Sequence, residues 1–446
     1  MLSKSKTAAV FAAILVGMAG SSPAQESVSG SAAPASAVTA GDTAWMLLSA
    51  ALVMLMTPGL AFFYGGLVRR KNVLSILMQC FMALCLISIQ WIVVGYTLSF
   101  GGDLAGVIGH LQWMGLKGVG IEAGPFAPRI PHLLFAVFQM MFAVITPALI
   151  IGAFAERVRF AAFCVFAVLW STFVYDPVAH WIWGGGFLGP AGLGAVDFAG
   201  GLVVHINAGM AALAAVIVLG KRHGFPRSIS PPHNLPVAVL GAALLWFGWY
   251  GFNAGSALAA DGVAVNAFLA THCAGAAATL IWCVLDWMRF GKPTTLGMIT
   301  GSIAGLAAVT PGSGFVTIGG SIWIGLISGL VCWIAVTAFK ARYEYDDSLD
   351  AFGVHGIGGI WGSIAVGIWA TRSVNPNGVD GLLYGNPHQL LVQLEAVGIV
   401  AAFAFVGSLV LFKLVNLVIF LRVTEQEERV GLDLTEHREA GYTVID

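Results

Sequence analysis

Two histidines, His205 and His355, stand inside strongly apolar segments, each set among glycines and other small residues: VVHINAG around the first, GVHGIGG around the second. An imidazole titrates near neutrality and can both donate and accept hydrogen bonds, so a pair can hold a small polar molecule in line and relay a proton. Placing such a group at the depth of a bilayer is costly, and ionisable residues there mark substrate, ion or proton pathways. Without a carboxylate or cysteine close beside them, two histidines make neither a hydrolytic nor a metal centre, so an enzyme is not expected, nor any metal or cofactor. The other eight histidines (His110, His132, His180, His223, His233, His272, His388 and His437) fall mostly in or near loops and read as solvated or structural.

The elements that position the pair follow from composition. The chain has 446 residues, 58% of them hydrophobic and 10% charged, where a soluble domain carries roughly 25% charged residues. It is expected to be an all-α integral membrane protein. A formal net charge of −1 excludes a nucleic-acid binder, which needs clustered Lys and Arg to neutralise phosphates. Residues 1–24 read as a signal peptide: Lys4 and Lys6, an apolar stretch from Ala8 to Ala19, then the small residues Ser22-Pro23-Ala24. Residues 25–40 read as a flexible extracytoplasmic lead-in rich in Ser, Ala and Gly. The six cysteines lie in apolar segments without metal spacing and read as small buried hydrophobes.

Apolar runs broken by Gly, Pro or charge predict eleven spans between residues 41 and 421, beginning near 43, 73, 131, 159, 197, 235, 263, 294, 315, 348 and 390. The eighth is short and rich in small residues. With the mature N-terminus outside, the cytoplasmic loops hold Arg69, Arg70, Lys71, Arg157, Arg159, Lys221, Arg222, Arg227, Arg289, Lys292, Lys340 and Arg342. The outer loops hold Lys117, Arg129 and Arg372. This asymmetry is what the positive-inside rule demands, so the N-terminus is predicted outside and the C-terminus inside the cytoplasmic (inner) membrane.

His205 then lies in the fifth span, eight residues after Asp197, and His355 in the tenth, five residues after Asp350. Five spans per half is an odd number, which turns the second half upside down relative to the first. At 1.5 Å per residue the two histidines stand ~12 Å and ~8 Å from opposite helix ends, approaching the midplane from both sides. Two inverted five-helix repeats plus a final helix are the predicted architecture, with a substrate site between them.

The stretch DFAGGLVVHINAGMAALAAVIVLGKR (197–222) resembles the signature of the ammonium transporter family (Amt, Mep and Rh proteins). The resemblance continues through TPGLAFFYGGLVRRKNVL (57–74), IGAFAERVRF (151–160), AHWIWGGG (179–186), WYGFNAGSA (249–257) and DDSLDAFGVHGIGG (346–359), and ends in GLD (431–433). It implies a homotrimer whose subunits each conduct ammonium-derived nitrogen through a narrow hydrophobic pore. His205 and His355 then correspond to the pore histidines, Phe142, Trp183 and Ser256 to an external recruitment site, and Phe142 with Phe252 to a gate beneath it. Asp197 corresponds to a buried aspartate that shapes the site, with Trp249 nearby. Trp183 and Ser256 resemble the Amt type more than the Rh type, which implies uptake with ammonium or methylammonium as substrate. The departures are Ala351, where a larger aliphatic residue is common, and the tail sequence HREAGY after the last motif.

From residue 422 to 446 the chain is polar and too short to fold alone. The match of Gly431, Leu432, Asp433 and His437 to the family's regulatory tail implies docking on the cytoplasmic face, where PII-type signalling proteins act. A different reading is an ammonium sensor that signals through such a partner with little net flux. An ion-coupled carrier of a larger solute would need more intramembrane carboxylates than this chain has.

Overall fold

The structure is a computed structural model describing residues 38–227 and 231–442. The predicted signal peptide, and the lead-in up to residue 37, lie outside the described residues. Within a bilayer every backbone N–H and C=O must pair inside its own segment, so the apolar runs become helices. They are α1 (Ala40–Leu67), α2 (Arg70–Phe100), α3 (His132–Phe154), α4 (Phe160–Ile182), α5 (Gly201–Leu219), α6 (Leu235–Gly255), α7 (Gly262–Phe290), α8 (Thr295–Val309), α9 (Ile318–Tyr343), α10 (Phe352–Trp369) and α11 (Pro387–Val418). Ten of these, among the described residues, are long and apolar enough to cross a membrane, which makes this a multi-pass membrane protein. The eighth, α8, has 15 residues. It rises only about 22 Å against a core of about 30 Å, and nearly all of it is buried within the bundle.

Loop residues start these helices by accepting from orphan N–H groups. Thr39 accepts from Asp42, Asn234 from Val237, Asp261 from Val263 and Ala264, Thr294 from Gly297 and Thr317 from Gly320. Glycines then set how closely the helices pack. A Cβ at Gly241 would strike the Phe63 backbone, and one at Gly251 would meet Ser49, so α6 lies directly against α1. Lipid supplies no hydrophobic force between helices, and close backbone contact is what holds them. Helix α3 is 83% buried over its most apolar stretch, whereas α9 and α11 are 33% buried. The first is therefore interior, and the others turn apolar side chains such as Trp323 and Leu417 outward.

His132 and His180, read from sequence as solvated or structural, are both buried in the bundle, His180 completely. Cys85 is exposed on the apolar outside rather than buried. Beyond α2 a short antiparallel hairpin, β1 (Asp103–Leu104) with β2 (Ile108–Gly109), lies at the helix ends.

Candidate functional site

Helices α5 and α10 both open with a π-helical turn, Gly201–Ile206 and Phe352–Gly356, and each turn contains one of the two histidines. Single π turns recur at functional sites because the widened ring re-aims a side chain. Ahead of α5 the Asp197 carboxylate accepts from the backbone N–H groups of Gly200, Gly201, Leu202 and Val203, at 2.7–3.1 Å. Ahead of α10 the Asp347 carboxylate accepts from Ala351, Phe352 and Gly353, at 2.8–3.3 Å. The sequence reading set Asp350 opposite Asp197, and the structure corrects it. Asp350 is a left-handed residue (φ 61°) in the loop, its carboxylate 2.6 Å from Lys340 Nζ. Burial pushes both capping carboxyls above the usual carboxylate range, Asp347 to about 6 with the Asp350 charge adding to the rise, while the backbone donors pull the other way.

The two helices meet where Gly209, just after the first π turn, faces Gly356, so closely that a Cβ on Gly209 would overlap the Gly356 backbone. Gly359 leaves room for the His205 Cβ in the same way. The imidazole rings therefore lie nearly parallel, 12° apart with centroids at 5.3 Å, and their Nδ1 atoms are 3.3 Å apart. Thr310, at the end of α8, sets the protons. Its hydroxyl donates to the Leu306 carbonyl (2.8 Å) and accepts from Trp249 Nε1 (2.9 Å), so it can meet His205 Nε2 (3.4 Å) only as an acceptor. Assigned from these partners, His205 carries its proton on Nε2 and offers the Nδ1 lone pair, His355 donates from Nδ1, and His355 Nε2 is left as a free lone pair.

A cavity of about 10 Å³ adjoins both rings, walled by Leu60, Ile145, Trp249 and Phe252. That is the size needed for about one water-sized molecule. On one side Phe252 packs against Phe142 with ring centroids 4.2 Å apart and planes tilted by 35°, and Phe142 meets the Trp183 ring edge-on at 6.0 Å. Beyond them opens a vestibule of about 380 Å³ whose walls include Trp183, Ser256, Asp197, Gln139 and Asp261. Of the three predicted recruitment residues, Trp183 and Ser256 line this vestibule. Phe142 lies beneath Trp183, buried and shared with the aromatic pair. Trp183 is oriented by its Nε1–H, which donates to the Asp197 carbonyl at 2.8 Å. The Ser256 hydroxyl donates to the Phe252 carbonyl at 2.8 Å, which leaves its lone pairs free to accept from a cation. On the opposite side His355 shares a second cavity of about 10 Å³ with Tyr64, Thr300 and Asp350.

The tail packs against this second side. A short helix α12 (Glu425–Val430) starts with a capping box between Thr424 and Glu427, and Gly431 then turns at φ 113° against Lys71. Leu432 N–H donates to Asn72 Oδ1, the Asp433 carboxylate accepts from Ser75 N–H at 2.9 Å, and Glu436 accepts from Phe160 N–H at 3.0 Å. His437 lies edge-on to Phe160 at 5.1 Å. The tail carboxylates thus occupy the N-terminal ends of α2 and α4, where orphan N–H groups favour negative charge. Beside them Glu156 bridges Arg69 and Arg222, both at 3.0 Å, and Asp346 binds Arg222 at 2.8 Å.

Two residues of this arrangement escape the sequence reading. Asp347 could have been found, because its eight-residue separation from His355 equals that of Asp197 from His205. Thr310 carries no local signal, since only folding brings the end of α8 to the histidines.

The whole arrangement can be set beside known proteins. The model of the Ammonium Transporter Family matches residues 44–442. An ammonium transporter of Bacillus subtilis is 54% identical over 402 residues, covering 90% of this chain and 98% of that protein. The crystal structure of Mep2 from Saccharomyces cerevisiae superimposes with a TM-score of 0.82 at 36% identity, over 86% of this chain and 87% of that one. A structure titled Sensor Amt Protein also superimposes with a TM-score of 0.82, at 30% identity over 89% and 98% of the two chains.

Proposed function

The chain belongs to the ammonium transporter family, and we propose that it takes up ammonium across the cytoplasmic membrane by external recruitment, deprotonation and conduction of ammonia past His205 and His355. The observation that carries this reading is the 3.3 Å contact between the two Nδ1 atoms, beside a cavity with room for about one water-sized molecule.

A bare cation costs tens of kcal/mol in a low-dielectric medium on Born estimates, so ammonium needs a docking site before the barrier. The Trp183 face contributes about 0.5–2 kcal/mol of attraction to a cation, and the Ser256 oxygen accepts one of its N–H bonds. Passing Phe142 and Phe252 then requires the ion to give its proton to the vestibule water and enter as ammonia. The proton crosses by its own relay, so that net charge moves with the nitrogen. Ammonia donates to the free Nε2 lone pair of His355, which orients it in an otherwise apolar channel. Potassium, similar in size, has no proton to give and no N–H to donate, and is excluded. The eleven-span arrangement with two inverted halves suits this chemistry. In it α8 is the eighth span, the N-terminus is outside, and Asp197 and Asp347 cap the equivalent helices. Homotrimer assembly and regulation by a PII-type protein at the docked tail complete the reading.

Ammonium pulses on purified protein in a solid-supported membrane test it. Saturable currents that fall or lose selectivity against potassium when both histidines are replaced are expected. Unchanged currents and unchanged potassium exclusion in the double variant refute the histidine mechanism. The second reading, a sensor with little net flux, is favoured by one observation: the tail caps α2 and α4 directly, so its release alters the transport domain. Retention of a PII-type protein by the full chain but not by a chain ending before Arg422, with no measurable flux, would select the sensor.

A further inference from the structure

His180 makes two hydrogen bonds that a neutral imidazole cannot make together. It is fully buried near the end of α4, with Nδ1 3.0 Å from the Ser99 carbonyl of α2 and Nε2 2.9 Å from Asp103 Oδ1 on β1. A carbonyl and an ionised carboxylate only accept, and neutral histidine has a single N–H. Both bonds therefore form only when the ring is an imidazolium, or when the pair holds the equivalent extra proton. Asp103 is held as the charged partner: the His180 bond, followed by the Gly106 N–H, keeps its carboxyl below the usual range. The remaining titratable groups around the pair are His110, which closes the hairpin, and Asp176, one turn earlier on α4, whose carboxylate accepts from Ser99 Oγ at 3.4 Å. Among the described residues the pair makes no ion pair with lysine or arginine.

The pair sits where it controls Trp183. The His180 carbonyl accepts from Gly184 and Gly186, so the turn that carries Trp183 winds around this residue. The same turn is fastened to the hairpin by Phe187 N–H on the Gly106 carbonyl (3.0 Å) and by Trp181 Nε1–H on the Val107 carbonyl (2.8 Å). Gly184 has no space for a Cβ against Ser99 and the His180 ring, so the segment cannot shift without disturbing the imidazole.

We propose that His180 is a positioning residue for substrate recruitment: in its protonated form it ties the outer hairpin to the Trp183 turn, and loss of that proton on the alkaline outside loosens the turn and weakens capture of the cation. This rests on the reading of Trp183 as a recruitment residue. The intact pair is neutral overall and does not repel an approaching cation. After deprotonation the ring must turn a lone pair toward one of its two acceptors, and that contact opens.

The experiment measures methylammonium uptake by the full chain in proteoliposomes, with external pH varied from about 5.5 to about 8.5, across the imidazole range. Each variant is read as its ratio to wild type at the same pH, which cancels the titration of the substrate. In Asp103→Asn the amide donates to a neutral His180 Nε2, so the tie no longer needs a proton. Its apparent KM should stay level while that of wild type rises by about tenfold, the equivalent of one charge-assisted hydrogen bond, with maximal rate preserved. Asp103→Ala should show the raised KM at every pH. Superimposable pH profiles for wild type and Asp103→Asn overturn the proposal, as does a wild-type KM that falls relative to Asp103→Asn on the alkaline side. Trp183→Ala separates the two levels: an unchanged KM there refutes the recruitment reading itself, whereas a raised KM with superimposable Asp103→Asn profiles refutes only the role of His180.

Discussion

Asp197 and Asp347 perform the same task on two helices, each accepting from the first free backbone N–H groups of a helix whose π turn presents a histidine eight residues later. A carboxylate satisfies several orphan donors at once and complements the positive helix end, so each aspartate fixes the angle at which its helix delivers the ring.

Replacing either aspartate by alanine should cost about 1–2 kcal/mol of stability, the usual loss for a helix cap. Transport should fall further, roughly ten- to hundredfold, because a displacement of about 1 Å at the histidines spoils alignment. Thermal unfolding in detergent and flux in proteoliposomes check the two parts. Equal flux in wild type and Asp347→Ala would rule out a positioning role for that cap.

Thr310→Val keeps the shape of the side chain but removes the acceptor shared by Trp249 Nε1 and His205 Nε2. One buried indole N–H loses its partner at a cost of about 1–3 kcal/mol, and His205 loses what holds its proton on Nε2. Ammonium current should fall while the fold, followed by size-exclusion profile and melting temperature, is retained.

Gly209→Ala and Gly359→Ala insert a methyl group where the two histidine-bearing helices touch. Overpacking of this kind costs about 1–3 kcal/mol, and here it drives His205 and His355 apart. Flux should drop sharply in both variants, while alanine at Gly398, which has open space around it, should leave flux unchanged.

The charged cluster beside the tail predicts an acid-sensitive face. Burial pushes the Glu156 carboxyl up, but Arg222 and Arg69 together outweigh it and hold it below its ordinary 4.5. Asp346 is likewise held below 3.8, burial being outweighed by Arg222 and Arg157. A carboxylate whose folded value is depressed contributes its full stabilisation above the unfolded value, and that contribution is lost as pH falls through the folded value. Amide protection factors at Arg69–Asn72 and in the tail, which divide out the intrinsic pH dependence of exchange, should therefore be level from about pH 8 to about pH 5 and should fall only in more acidic solution. Glu156→Gln should lower protection already at neutral pH, because Arg69 loses its carboxylate partner and Arg222 keeps only Asp346.

Membrane class, the positions of the apolar helices and the pair of histidines were all legible in the chain, because each depends on local composition. A bilayer forces an apolar run into a helix wherever the rest of the molecule goes. Trp183 and Ser256 could be named through motif resemblance, and both line the vestibule. Phe142 could be named too, but whether it faces the vestibule or lies beneath Trp183 depends on how α3 packs against α4 and α6.

What the sequence determined by itself was which segments become apolar helices and which of them carry an ionisable ring. Only the tertiary structure decided how those rings meet: Asp347 rather than Asp350 caps α10, Thr310 orients His205, and two glycines let the helices close to a 3.3 Å contact between Nδ1 atoms. The physical reason is one of range. Helix formation is set by neighbours within a few residues, whereas a hydrogen bond between residues 105 or 150 positions apart exists only once the helices have packed.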